Sequence, residues 1–573
     1  MRTTLAAGCI LLLLACLDAT VSASDDADAD YKALLDTYKA GRFPEALTLA
    51  EAFLKDHPEY KYASGALYQG ANSGLAAREY ERAEPLYRSL IEKFPDYKKT
   101  PAARDELATL LRDARKLDAC LTLLSENIKA LPEDSRVDRW TYLRGECLFR
   151  LWRFDEARKE LEAFVKAFPK SASVRNANNY LAEIDPPWTI DKNNVIQDYT
   201  GKYKDDPRLK AAQDKLPAFT KEAVAALKKS LGVDLASQAA VLFRFKDKGD
   251  SRDGERAVTV TVGRKGKPCS VIIFYAEFVM LDEQDYRSRV IHEFKHAAFR
   301  GLMGQKYLDL PKWVKEGLAV YGSGQLPDRL PQILSNEAFG LKDPLKLLDG
   351  IDERDKDHTT NDYLEDALFF EWLDGAFKGA TAIFCQRLLK GDDYKVILAE
   401  ICKQPYEKVI AAATAHCARR LETALGDGHR KFHALRTDEV SAEKQGKDAH
   451  KKWLEESGLA AYEAWLKANP GHAYEPLVRY RIGKGLNACG KYEEARKVLA
   501  NARDEYERCA TVGDDAAYQY ALSFELAGDE EGARREFGAF LRDYSWCAYA
   551  KEAAKKYKAA GPESAPADDV GEE

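Results

Sequence analysis

The 573-residue sequence predicts a mainly α protein with an α+β centre: an N-terminal helical-hairpin repeat array, a central domain with a small sheet, and C-terminal helical repeats. Three observations carry this. Pro58, Pro95, Pro132 and Pro169 recur at intervals of 37 residues. Runs rich in β-branched and aromatic residues gather in one stretch between 240 and 275, and the turn signature of the first array returns near Gly490 and Gly528.

The chain opens with Arg2, an apolar stretch from Leu5 to Leu17, and Val21-Ser22-Ala23. This pattern reads as a signal peptide over residues 1–23 and predicts an exported protein, periplasmic or extracellular. An alternative reading takes Leu13-Leu14-Ala15-Cys16 as a lipoprotein box, with a lipid anchor at Cys16. No later run approaches the roughly 20 apolar residues that a membrane span needs. Net charge is −7, and the 87 basic and 94 acidic residues are spread evenly, so no nucleic acid partner is expected.

Residues 29–185 read as four helical hairpins. An amphipathic helix precedes each of the four prolines, and turns such as Gly41-Arg42-Phe43-Pro44 and Trp152-Arg153-Phe154-Asp155 precede the helices. Ala46, Ala83, Ala119 and Ala157 supply small side chains for close helix packing. The pattern resembles tetratricopeptide repeats, whose standard period is shorter, and the resemblance implies either a groove for a protein partner or a brace for the centre. Of the eleven cysteines, Cys120 and Cys147 are the nearest disulfide partners within one array; the other reading makes the cysteines small buried apolar residues.

The central domain, 195–435, is expected to begin with a helix from Pro217 to Leu231. Strands follow at about Ala240 to Phe245, Ala257 to Val262 and Val271 to Tyr275, one of them an edge beside a substrate. Next comes His292-Glu293-Phe294-Lys295-His296. Histidines four apart on a helix share one face and can bind one Zn2+, and Glu293 between them can act as general base toward water. Asp282 is read as this helix's cap and Gly301 and Gly304 as its stop signals, with a loop to Leu310. Pro311 then opens a second helix and Gly322 closes it, so that Glu316 can offer an oxygen as third ligand.

With Trp313, Glu316, Gly317, Ala319 and Tyr321 following the motif, the sequence resembles the gluzincin, thermolysin-like and peptidase MA-like, zinc metallopeptidases. The resemblance implies a zincin-like centre with His292, His296 and Glu316 as metal ligands and Glu293 as catalytic base. It also implies an oxyanion donor on the helix after the third ligand, where Tyr363 is the choice; Tyr321 and His358 are reserves, Tyr321 alternatively supporting a ligand. A mostly helical region from Leu345 to about Leu435 completes this domain. A polar connector or continuing helix from Thr437 to Lys452, helical repeats over 453–560 and a disordered tail at 561–573 end the chain.

The expected function is therefore that of an exported zinc-dependent peptidase acting on a peptide or protein, with repeats that recruit or brace. The alternative is a repeat-based protein-binding or assembly protein that keeps an inactive peptidase-like module.

Overall fold

The computed structural model describes residues 26–233, 241–248, 257–281, 283–325, 362–506, 512–544 and 547–559. The expected signal peptide with Cys16, the Asp282 cap, His358 and the tail lie outside them. The chain divides into two compact units, Met1–Pro186 with Val262–Pro268, and Pro187–Thr261 with Cys269–Glu573.

In the first unit a helix at 26–39 is followed by Phe43–Asp56, Ala63–Ala76, Tyr80–Lys93, Thr100–Asp113, Leu117–Ala130, Val137–Arg150, Phe154–Ala167 and Val174–Ala182. The 37-residue period has two local causes. A residue before proline is pushed out of the helical region, and His57, Phe94, Leu131 and Phe168 all end their helices at φ between −135° and −126°. Within each hairpin one residue turns left-handed: Gly41, Arg78, Arg115 and Trp152, at φ 74°, 58°, 59° and 60°. Only the first is glycine, so the other three each accept roughly 1 kcal/mol of local strain, offset by packing of the helices they join.

One expectation about this packing needs correction. Ala46, Ala83 and Ala157 are fully buried, but Ala119 is exposed, and the fourth small buried side chain belongs to Cys120. Cysteine serves as well as alanine here because its side chain is small and apolar. Cys120 and Cys147 are both free thiols in the same core, and Cys120 Sγ donates to the Ala108 carbonyl at 3.2 Å. The neighbouring Cys120 sulfur, together with burial, pushes the Cys147 thiol well above its usual range. The disulfide reading gives way to the packing one.

In the second unit the first long helix is Pro207–Leu231, which starts earlier than expected. Asp206 caps it by accepting from the Arg208 amide at 2.8 Å, Pro207 occupies the first turn, and Pro217 lies inside the helix. Strands β1 (Val241–Lys246), β2 (Ala257–Arg264) and β3 (Lys267–Tyr275) form one sheet in the order β1-β3-β2, with Val262–Pro268 at the turn counted in the first unit. β1 runs parallel to β3, with Val241 opposite Ser270 and Lys246 opposite Tyr275. β2 turns into β3 through Lys265 and Gly266, both at positive φ, as a two-residue turn requires, which leaves β2 at an edge.

The helices Glu283–Met303, Lys306–Asp309 and Lys312–Val320 follow, then Asp362–Ala376, Ala380–Lys390 and Tyr394–Cys402. The 39-residue segment Tyr406–Lys444 breaks its helical geometry only at Gly426 (φ 49°, ψ −156°). Its Val409 and Ala413 belong to the core beneath the sheet, whereas Cys417, Leu421, Leu425 and Phe432 belong to a second core with Tyr462, Trp465 and Tyr474. The continuing-helix reading of 437–452 holds as far as Lys444; after Gly446, Lys447–Trp453 is helical again. This shared helix is why the centre and the C-terminal repeats, expected as separate domains, form one unit. The C-terminal helices run as Leu459–Ala468, Glu475–Ala488, Tyr492–Tyr506, Gly513–Leu526, Glu530–Tyr544 and Ala550–Ala559.

The corrected packing register has a direct test in thermal unfolding. Cys120→Leu overfills a buried position and should cost about 1–3 kcal/mol, whereas Ala119→Leu on the exposed face should stay within about 0.5 kcal/mol.

Candidate metal centre

Two helices and one strand build the site. On Glu283–Met303, Tyr286, Val290, Phe294 and Ala297 pack into the core, and His292 and Glu293 are themselves only 5% and 8% exposed. This helix runs past Gly301 and stops at Gly304 (φ 63°), and the expected loop contains the helical turn Lys306–Asp309. Pro311 precedes Lys312–Val320 as predicted. Trp313, 1% exposed, anchors that short helix against Phe369 and Phe370, with ring centroids 4.8 and 6.2 Å away. Gly317 lets it come close to the next helix, since a Cβ there would lie 2.5 Å from the Asp366 carbonyl oxygen.

The outcome is convergence of the three predicted ligands. His292 Nε2 lies 3.1 Å from His296 Nε2, and Glu316 Oε2 lies 3.5 Å and 3.2 Å from those two atoms. Four ligands at about 2.1 Å around a tetrahedral zinc stand about 3.4 Å from one another, so these atoms fit three corners of that figure. The donor set, two imidazoles and one carboxylate, also suits zinc. Burial pushes the Glu316 carboxyl up, but the His296 charge and hydrogen bonds from His292 and His296 outweigh it and hold Glu316 well below the usual carboxylate range.

Four supporting residues were not singled out by the sequence. Tyr307, on the short turn, bonds through its hydroxyl to His296 Nδ1 at 2.5 Å. When Nε2 faces a metal the proton sits on Nδ1, which then donates to the Tyr307 oxygen and fixes the ring. Burial, and then the charge of Glu316, raise the Tyr307 phenol well above its ordinary value, so it stays neutral. From β2, Thr259 donates its hydroxyl to Glu293 Oε2 at 2.7 Å. Lys295, fully buried inside the motif string, donates to the carbonyls of Leu318 and Tyr321, and burial lowers it to about 7.

The fourth residue, Asp374, redirects a reserve candidate. It accepts from the Tyr321 hydroxyl at 2.6 Å, and burial followed by this bond raises that phenol. Tyr321 thus supports the end of the ligand helix. Tyr363 falls on the helix Asp362–Ala376, with its side chain outside the described residues. A signal for Thr259 existed in the alternating Val-Thr-Val-Thr of β2, where a polar residue takes an inward position; nothing in the local pattern marks Tyr307.

Another acid and histidine group, Glu439, Glu443 and His450, also brings ligand-type atoms together. Glu439 Oε2 is held there by the Arg436 guanidinium and by the Tyr462 hydroxyl at 2.5 Å, and Oε1 faces His450 Nε2 at 3.4 Å, so the carboxylate is already engaged by the fold.

If Tyr307 orients His296, Tyr307→Phe should weaken zinc binding roughly tenfold while leaving the fold intact. Competition with a chelator, run beside a circular dichroism melt, checks this.

Residues 17–181 match the family model of a tetratricopeptide repeat-like domain. No curated protein matches the chain. Among solved structures, the TPR domain of P58(IPK) is 14% identical, covering 87% of this chain and 98% of its own at a TM-score of 0.22. Yeast Tom70 is 12% identical, covering 88% and 96% at a TM-score of 0.23. The Cut9-Hcn1 hetero-tetramer of APC/C is 13% identical, covering 93% and 96% at 0.20. No shared global arrangement follows from scores this low. The N-terminal helical repeats are tetratricopeptide-like, in a mainly helical chain with one small sheet.

Proposed function

We propose that this chain is an exported zinc-dependent peptidase whose tetratricopeptide-like repeats bind a protein substrate or partner, or brace the catalytic centre. The observation that carries the reading is the cluster of His292 Nε2, His296 Nε2 and Glu316 Oε2 within 3.1–3.5 Å of one another, with Glu293 on the same helix. Export is supported by the leader-like segment from Arg2 to Ala23, with Cys16 lipidation as its alternative.

A zinc ion bound by these residues would supply a Lewis acid and a water that ionises near neutral pH. The chain's own groups do the rest. Glu293, with one oxygen held by Thr259, uses its carboxylate to take the proton from the attacking water and returns it to the departing amine. His292, His296 and Glu316 would hold such an ion through three ligand atoms and leave it open to water and substrate. The edge strand β2, paired at Gly263 by Glu183 and Asp185, offers the backbone groups before that point to an extended peptide. Tyr363 is assigned the donor to the oxyanion through the family resemblance.

A second reading is favoured by the repeat match over residues 17–181: a protein-binding or assembly protein with an inactive module. Glu293 separates the two, because a metal site that serves structure alone needs no general base beside it.

Purified protein should contain one zinc, lost in His296→Ala. Glu293→Gln should keep the metal and lower kcat on peptides by about 10²- to 10⁴-fold. Thr259→Val should lower kcat roughly tenfold, the worth of one hydrogen bond to a charged group. Protein without zinc, or a fully active Glu293→Gln, would reject the peptidase; zinc binding without peptide hydrolysis would favour the second reading.

A further inference from the structure

We propose that Lys295 is a positioning residue for the third metal ligand: its side chain straps the C-terminal end of the Glu316 helix to the motif helix. The inference rests on the metal site proposed above but not on peptide hydrolysis.

Lysine is almost never fully buried without a partner, and removing an ammonium from water costs several kcal/mol. Lys295 is nevertheless 0% exposed, and the ionisable side chain that bears on it is the buried Cys385 thiol. Its partners are backbone oxygens. Nζ donates to the Leu318 carbonyl at 3.4 Å and to the Tyr321 carbonyl in a short contact. Leu318 is in the last turn of Lys312–Val320 and Tyr321 is its C-cap, where carbonyls lack helical partners and the helix dipole is negative.

The ligand helix has only nine residues, too few to hold its own orientation. It is gripped at both ends. Trp313 packs against Phe369 and Phe370 at the start, and Lys295 ties the finish, with Glu316 between the two grips. Directly after the cap, Gly322 turns at φ 70° against Ser230, which holds the carbonyls within reach of Nζ. An apolar side chain could fill the space but would leave two buried carbonyls without this donor.

Charge and position predict opposite outcomes. An ammonium near a dication repels it, so if Lys295 acted through charge alone, its removal would tighten zinc binding. As a strap, its removal frees Glu316 and loosens zinc.

The test measures zinc affinity of the full chain, by competition with a chromophoric chelator, in the parent, Lys295→Met, Glu316→Gln and the double variant. Lys295→Met should weaken zinc by about 10- to 100-fold, and by less than about threefold once Glu316 is already Gln. Lys295→Gln, whose shorter amide keeps a donor, should fall between parent and Lys295→Met and serves as the test if the Met variant fails to fold by circular dichroism. Unchanged or tighter binding in Lys295→Met overturns the strap, as does equal weakening in both Glu316 backgrounds. If only Lys295→Gln folds, parent-like affinity in it does the same. A parent that binds no zinc overturns the metal site and the strap together; a parent that binds zinc but cleaves nothing ends the peptidase reading and leaves the cycle to judge Lys295.

Discussion

The close approach of Lys312–Val320 to its neighbours is the constraint on which the candidate centre depends. A two-histidine face on one helix cannot close a metal site, and a carboxylate brought in on a second helix does so only if that helix is held to within a fraction of an ångström. Gly317 removes the side chain that would strike the Asp366 carbonyl, and Trp313 fills the space beside it. The same approach buries Glu316 against both imidazoles, which turns an otherwise costly interior carboxylate into a stabilised anion. Packing and electrostatics thus arise from one geometric fact.

Around that fact the site is wired in layers. Tyr307 fixes one imidazole, Thr259 fixes an oxygen of Glu293, and Asp374 and Lys295 hold the end of the helix that carries Glu316. These partners come from a strand, a single helical turn, a downstream helix and the motif helix itself. Asp374 also accepts from the Thr381 amide at 2.8 Å. Thr259 Oγ1 also lies 3.2 Å from the Glu293 carbonyl oxygen, bringing the sheet against the helix that it serves.

What the sequence disclosed follows from the range of the interactions involved. The repeat period was legible because its causes are local, a residue before proline and a left-handed turn. The two motif helices were legible because spacing alone puts His292 and His296 on one face and Pro311 at a helix start. The misread features depend on distant partners. Ala119 and Cys120 are both small, and only the packing of adjacent helices decides which faces inward. Pro217 looked like a beginning because proline favours first turns, yet the Asp206 cap outcompeted it. Tyr307, Asp374 and Lys295 gain their roles from residues that folding alone brings to them.

The helix Tyr406–Lys444 contributes one stripe of side chains to the core beneath the sheet and another to the core of the C-terminal repeats. Its two apolar segments lie end to end, so a protease nick or a fragment boundary before Ala413 strips the first core and one beyond Cys417 strips the second, leaving a sticky half in either case. Loss of the terminal helices through truncation would also uncover Leu368 on Asp362–Ala376 and be felt as aggregation of the candidate metal centre, even though none of its candidate ligands had been removed.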